Sequence, residues 1–269
     1  MLKKIIKKFG EEEIFDEKKF CDSLIRIGID EKTSHKICTN VYNKLKNVAS
    51  SKDVFNLTLN ELKRINHYYA LRYNLKKAIF DLGPTGYPFE KYVAKILSEY
   101  GYKTITNEII EGKCLSYEID IVAIKEFKYV IECKFHNLEE AKSDIKQILY
   151  VYGRWIDIKE KFEYLKPWLV TNTKISTEAI NFAKCRDIKV TAWRYPQDES
   201  LEKLIEDKDL YPVTILLSAN KFAIKKLLES NYILTKELIM EDIQTIVNNT
   251  NLDKKLIKKI LEEISFLGL

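Results

Sequence analysis

The chain has 269 residues, of which 46% are hydrophobic and 32% charged, and it is long enough for one large domain or for two to three small ones. It contains no apolar run of the roughly 18 residues that a membrane span needs, and its basic start leads into no apolar signal segment. We therefore expect a soluble, globular protein of the cytoplasm.

Cysteine and histidine usage argues against several kinds of site. The cysteines stand singly without a Cys-x-x-Cys pair, which disfavours both a zinc knuckle and a disulfide framework. We expect reduced core residues at all five positions, which are Cys21, Cys38, Cys114, Cys133 and Cys185. The three histidines are far apart in sequence, so a bound metal is expected to have oxygen ligands.

Charge is unevenly distributed along the chain. The net charge of +5 is modest, but residues 1–82 carry 17 Lys and Arg against 11 Asp and Glu, whereas residues 198–269 carry 10 against 13. The basic front segment is compatible with contact to a polyanion, and equally with a solvated helix face.

The first segment, residues 1–82, predicts a hairpin followed by about three helices. The hairpin is expected to turn near Gly10, and Asp16 suits the N-cap of a helix that stops at Gly28. A second helix is predicted with Ile37, Val41, Leu45 and Val48 on one face. A third is predicted to begin at the capping box Thr58–Glu61 and to run through Tyr73.

The Gly/Pro cluster Gly83–Pro88 marks a boundary, after which the rhythm changes. The middle segment, residues 83–197, predicts the order α-β-β-β-α-β-α-β, an α/β (α+β) core with a mixed sheet flanked by helices. The predicted strands are 102–110, 117–124, 128–135, 167–171 and 188–193. The predicted helices are one from Phe89 that ends near Gly101, one over about 138–158 and one over 176–184. Residues 198–269 predict an almost wholly helical C-terminal domain.

Charged residues recur on adjacent strands of the middle segment. Asp120 lies on the second strand, and Glu132 and Lys134 lie on the third, where a period of two places them on one face with His136. Grouping these charges is costly unless they pair or hold a metal. Mg²⁺ takes carboxylate oxygens in octahedral geometry, and a lysine beside it would offset charge on phosphate oxygens. The group therefore predicts phosphodiester hydrolysis.

This pattern resembles the PD-(D/E)XK nuclease superfamily, and Mrr-like restriction endonucleases in particular, over roughly residues 84–196. The resemblance implies Asp120, Glu132 and Glu90 as ligands of Mg²⁺ or Mn²⁺, with Lys134 completing the catalytic site. It also implies that Gln147, on the next helix, is directed at the active site. Glu90 and Gln147 can equally be surface residues. The sequence departs from the family before Asp120, where Tyr117-Glu118 replaces a glycine-rich approach and leaves the role of Glu118 open.

The first segment resembles the ATP-cone, a small regulatory domain that binds ATP or dATP. Its basic hairpin places Lys7 and Lys8 where they would contact the phosphates of a nucleotide. Phe9 and the three glutamates after Gly10 depart from the cone pattern, which favours the fold over nucleotide binding. Lysines on a solvated edge strand are the alternative interpretation.

These expectations combine into a divalent-metal-dependent endonuclease that acts on DNA in restriction or defence, with nucleotide as a possible gating effector. The alternatives are a catalytically inactive DNA-binding or nucleotide-sensing regulator and a nuclease of DNA repair or recombination. Cleavage of both strands usually needs two active sites, so a homodimer is compatible with this function.

Overall fold

A computed structural model describes residues 3–7, 10–162 and 164–268 of the chain. Contacts between Cα atoms divide it into two units. The first comprises the residues up to Lys76 together with Ser265–Gly268, and the second comprises Lys77–Ile264. None of the helices in the described part of the chain is both long and apolar enough to cross a membrane.

The first unit consists of a small sheet and helices. Strands β1 and β2 form the predicted antiparallel hairpin, and β3 pairs with β1 in parallel. Asp16 caps the first helix by accepting a hydrogen bond from the Lys19 N–H at 2.9 Å, as predicted. The elements are β1 Lys4–Ile6, β2 Glu12–Ile14, α1 Glu17–Arg26, α2 Glu31–Lys44, β3 Val48–Ser50, α3 Ser51–Ile65 and α4 His67–Phe80, the last of which continues past Lys76.

Three predictions for this unit were wrong. The predicted third helix does not run through Tyr73, because Asn66, in extended conformation, separates α3 from α4. Val48 lies in β3 and not on the second helix, and α3 begins at Ser51 because Ser50 and Asp53 form the capping box. Thr58 lies inside α3, where its hydroxyl donates to the Val54 carbonyl at 2.7 Å.

The expectation of five reduced core cysteines was also wrong. Cys21 and Cys38 form a disulfide, with their Cα atoms 5.9 Å apart. Cys133 is free and buried as expected, whereas Cys114 and Cys185 are free but exposed.

The second unit contains the predicted α/β core. Its five-stranded mixed sheet has the order β10-β8-β6-β5-β4, with β4, β5 and β6 antiparallel and β6, β8 and β10 parallel. Strands β7 and β9 form a separate parallel pair. The elements are α5 Tyr87–Glu99, β4 Lys103–Glu111, β5 Ser116–Ile124, β6 Lys128–Lys134, β7 Lys142–Ser143, α6 Ile145–Lys159, β8 Leu165–Thr171, β9 Lys174–Ile175, α7 Thr177–Cys185 and β10 Lys189–Thr191.

Helices cover both faces of the five-stranded sheet. On one face Phe89 of α5 packs against Phe135, which follows β6, with ring centroids 5.4 Å apart. On the other face Val130 of β6 packs in one cluster with Ile158 of α6. Burial on both faces explains why β6 reads as a nearly continuous apolar run interrupted by Glu132 and Lys134.

The remainder of the second unit is helical, as predicted for the C-terminal segment. Its elements are α8 Leu201–Glu206, a 3₁₀ turn at Val213–Ile215, α9 Lys221–Glu229, α10 Thr235–Ile239, α11 Ile243–Thr250 and α12 Lys254–Ser265. The buried carboxylate of Glu263 accepts hydrogen bonds from the backbone N–H groups of Leu217 and Ser218 at 2.9 and 2.8 Å. Glu263, which lies on α12, therefore holds the loop that precedes α9.

The turn between β4 and β5 is anchored to α6 by a carboxylate. Asp157 accepts hydrogen bonds from the backbone N–H groups of Cys114 and Leu115. Burial opposes ionisation of Asp157, but these hydrogen bonds outweigh it and lower its pKa. A Cβ built on Gly112 would overlap Asp157 Oδ2 and lie 2.9 Å from the Tyr117 ring, so this close approach requires glycine.

We predict that Gly112→Ala lowers the free energy of unfolding by about 2 kcal/mol, because the Asp157 carboxylate cannot move without losing its hydrogen bonds. Gly153, within α6, is the matched control, since its added Cβ would meet nothing within 4 Å. Gly153→Ala should leave stability unchanged or raise it by up to about 1 kcal/mol. Urea denaturation measures both variants, and equal effects would contradict the anchoring role of Asp157.

Candidate active site

The site forms where β5 and β6 separate. Ile121 and Ile131 are the last paired residues of the two strands, and Asp120 and Glu132 lie one residue beyond them. Here the Cys133 N–H donates to Asp120 Oδ2 at 2.6 Å and not to a backbone carbonyl of β5. The predicted strand acids are therefore neighbours, and Asp120 is oriented by the backbone of β6.

Glu90 approaches from the first turn of α5. A Cβ on Gly86, the residue before α5, would lie 3.0 Å from Glu90 Oε1, so glycine leaves the space that this carboxylate uses. The charges of Asp120 and Glu132 both interact with Glu90. The electrostatic influence of the strand acids therefore reaches Glu90, while its role as a metal ligand stays a prediction.

Burial gives these acids unusual acidities. Desolvation first, and then the charges of Asp120 and Glu118, raise the pKa of Glu90 to about 7. Desolvation and Asp120 raise the pKa of Glu132 to about 7 as well, although Arg154 opposes the shift. Desolvation also raises the pKa of Asp120, partly offset by the Cys133 N–H. Ionising all three at once is unfavourable unless a cation is present.

Lys134 is the last residue of β6, and His136 follows two residues later. The charge of Lys134 favours the ionised form of Glu132. The His136 Nε2 lies 2.9 Å from Ser143 Oγ, which in turn donates to Thr171 Oγ1 at 3.1 Å. Desolvation, followed by the charge of Lys134, lowers the pKa of His136. His136 thus belongs to a hydrogen-bonded chain with Ser143 and Thr171.

Gln147 occupies the N-terminal turn of α6. Its Oε1 accepts a hydrogen bond from the Asp144 N–H at 2.8 Å, and Asp144 in turn caps the helix. The side-chain carbonyl of Gln147 is therefore engaged in a capping box. Its predicted role in the active site stays a prediction.

Arg154 is the residue that sequence reasoning missed. Its Nη1 donates to Glu132 Oε2 at 2.5 Å, and its Nη2 donates to the Glu118 carbonyl. The available signal was helical period: Gln147, Tyr150 and Arg154 recur at i, i+3 and i+7 on one face of α6.

Asn107 and Glu118 extend the site on β4 and β5. Asn107, with a φ of 55°, donates from Nδ2 to Glu118 Oε1 at 3.2 Å, and its amide also opposes the rise in the pKa of Glu90. Glu118, whose role the sequence left open, therefore lies among the acids. An asparagine in the middle of a predicted strand could have indicated a local break in the strand conformation, because asparagine tolerates the left-handed region.

The donor set suits Mg²⁺ or Mn²⁺ in kind, because its oxygen ligands are desolvated carboxylates that repel one another. Among residues 3–7, 10–162 and 164–268, no three Asp, Glu, His or Cys side chains already lie close enough together to hold a metal. A bound cation would therefore have to draw the carboxylates together.

The predicted nucleotide contacts in the first unit are only partly described. The Lys7 ammonium lies 2.7 Å from Glu13 Oε2 on the opposite strand of the hairpin. Lys8, like Phe9, lies outside the described residues. The hairpin lysines thus include one whose charge an acid already compensates.

Comparisons with known proteins identify the domain that contains these residues. Residues 84–197 match the family model of the restriction endonuclease catalytic domain, Mrr_cat, which spans the site. Residues 211–267 match the model described as AF1548-like, C-terminal. The fold and the site therefore define a protein with a restriction-endonuclease-like domain.

Two similar proteins match more of the chain than either family model does. An uncharacterized protein of Archaeoglobus fulgidus is 40% identical over 148 residues, which are 55% of this chain and 83% of that protein. The crystal structure of AF1548, a protein of unknown function, is 34% identical with a TM-score of 0.60, covering 68% of this chain and 99% of that one. The chain belongs to the AF1548-like family.

A third likeness is remote. The structure of Can2 from Sulfobacillus thermosulfidooxidans in complex with cyclic tetra-adenylate is 14% identical with a TM-score of 0.33, covering 71% of this chain and 54% of that one. At this level the likeness says nothing about function.

The raised pKa of Glu90 predicts a pH-dependent stability of the metal-free protein. Between the ordinary value of 4.5 and about 7 the folded state binds the extra proton, so this residue's contribution falls as pH rises through that window. We predict that Glu90→Gln is more stable than the wild type at about pH 8 by about 1 to 2 kcal/mol, allowing for solvent screening. Near pH 5 the two should be almost equal.

Urea denaturation in the presence of a chelator at both pH values measures this difference. Glu140→Gln is the control, because Glu140 is an exposed loop acid. A stability gain for Glu90→Gln that is larger at pH 5 than at pH 8 would contradict the burial of this carboxylate.

Proposed function

We propose that the chain is a divalent-metal-dependent endonuclease that hydrolyses phosphodiester bonds in DNA. The observation that carries the proposal is the grouping of Asp120, Glu132 and Lys134 where β5 and β6 separate, inside a restriction endonuclease domain. Restriction or defence is the role that this domain type favours.

The residues divide the work by their chemistry. Asp120, Glu132 and Glu90 would hold Mg²⁺ or Mn²⁺, which when bound polarises the phosphate and acidifies an attacking water. Lys134 would orient that water and offset the negative charge that develops on the phosphate oxygens as the P–O bond to the leaving group breaks. The Cys133 N–H holds Asp120 in place while it does so.

Partial burial of the acids also supports the proposal. A surface cluster kept only for solubility would not be desolvated enough to raise the pKa of two glutamates to about 7. A catalytically inactive DNA-binding regulator is the alternative. The retention of Lys134 next to Glu132 favours the enzyme, because binding alone does not need the lysine beside a metal site.

The decisive test is cleavage of plasmid and linear DNA with Mg²⁺ or Mn²⁺. Asp120→Asn, Glu132→Gln and Lys134→Ala should each lower the rate by about 100-fold or more, because each removes a ligand or a charge that stabilises the transition state. Glu140→Gln is the control and should cleave like the wild type. Equal cleavage by the wild type and all three site variants would place the activity elsewhere or in a contaminant.

Nucleotide binding by the first unit is a separate proposal, which rests on its resemblance to the ATP-cone. ATP or dATP at 100-fold its dissociation constant should raise stability by about 2.7 kcal/mol, because ligand binds only the folded state. Lys7→Ala should reduce that gain. Thermal denaturation without any shift at millimolar ATP and dATP would remove the effector from the proposal.

A further inference from the structure

Arg154 is fixed within the candidate active site from several directions. Its side chain is 13% exposed and pairs with Glu132 at 2.5 Å. Its guanidinium carbon lies 5.3 Å from the ring centroid of Tyr117 and 5.2 Å from that of Tyr150. With the bond from Nη2 to the Glu118 carbonyl, these contacts hold the cation against a carboxylate that the metal would need.

One feature of Arg154 is not expected of an arginine that serves only as a stabilising ion-pair partner. Its Nε is buried and has no hydrogen-bond partner within the described part of the chain. An unsatisfied donor of this kind is unfavourable in a site kept for stability alone. An arginine stays protonated throughout the physiological range, so Arg154 brings a permanent positive charge to the acids.

The charge count shows what that cation does. The negative charges of Glu90, Asp120 and Glu118 act on one another, and those of Asp120 and Glu90 act on Glu132. The positive charges of Lys134 and Arg154 act on Glu132 as well. A divalent cation that joined this group would be attracted by the acids but repelled by Arg154. Arg154 and the divalent cation would also compete for the Glu132 carboxylate.

We propose that Arg154 is a positioning residue that competes with the divalent cation for Glu132. It neutralises Glu132 in the metal-free site and gives the carboxylate up when the cation binds, so it sets the metal concentration at which the site loads. This inference rests on the proposed function. It agrees with the absence, among the described residues, of three acids already gathered for a metal.

The test is the affinity of Arg154→Gln for Mn²⁺, measured by titration calorimetry and by the electron paramagnetic resonance of free Mn²⁺. At about pH 8 the dissociation constant should fall by about tenfold or more, because a repelling charge and a competitor have been removed. Arg154→Lys keeps the charge and should stay within about threefold of the wild type. A purely structural arginine would instead leave the affinity unchanged or weaken it.

Thermal denaturation supplies a second measurement. Metal-free Arg154→Gln should melt below the wild type, because Glu132 has lost its partner, and saturating Mn²⁺ should raise its melting temperature by more than that of the wild type. Arg194→Gln is the matched control. It breaks a bidentate pair with Glu202, at 2.6 and 2.7 Å, that involves none of the acids named above, and should leave Mn²⁺ affinity unchanged.

Tyr150→Ala keeps the inference testable if Arg154→Gln fails to fold. Tyr150 is 56% exposed, and its ring and hydroxyl contact Arg154, so its loss should loosen the arginine and tighten Mn²⁺ binding by a smaller factor. Unchanged or weaker Mn²⁺ binding in these variants, with an active wild type that binds Mn²⁺, overturns the inference alone. No Mn²⁺ binding and no cleavage by any protein overturns the proposed function and this inference with it.

Discussion

The separation of β5 and β6 is the constraint on which the candidate site depends. Beyond the pair Ile121 and Ile131 the Cys133 N–H needs another acceptor, because a buried backbone donor without one is costly. The Asp120 carboxylate meets that need at 2.6 Å. The acid that would bind the metal therefore also satisfies the backbone where the two strands part, and an apolar residue at this position would harm both the strand end and the chemistry.

Covering both faces of the sheet creates the electrostatic problem that defines the site. Helices α5 and α6 bury Phe89, Val130 and Ile158 around β6, and the same cover removes water from Glu90 and Glu132. Desolvation therefore raises the pKa of both glutamates before any neighbouring charge acts. Lys134 and Arg154 relieve part of the excess negative charge. The remaining repulsion among the acids would be relieved by protons or by a divalent cation. Binding of either would therefore stabilise the folded protein by removing the same unfavourable interaction.

Much of this arrangement followed from periodicity. The predicted strands 117–124 and 128–135 correspond closely to β5 Ser116–Ile124 and β6 Lys128–Lys134, because buried strands give apolar runs bounded by turns. In the first unit local capping patterns competed. Both Ser50 and Thr58 precede an acid by three residues, and sequence alone did not reveal that Thr58 bonds back to Val54 inside a longer helix. The Cys21–Cys38 disulfide joins two helices, and spacing along the chain contains no information on that approach.

Side-chain partners were harder to predict than elements, because a period assigns a residue to a face and not to a contact. Gln147 and Arg154 share one face of α6, yet Gln147 engages the Asp144 N–H while Arg154 reaches Glu132. The net charge of the buried acids could have identified Arg154, and not Gln147, as the residue that contacts them. Three acids beside a single lysine leave an excess of buried negative charge, which is unfavourable without a further cation. A basic residue on the helix face that covers β6 is the nearest source of one, and along α6 the position one helical turn beyond Tyr150 on that face is Arg154.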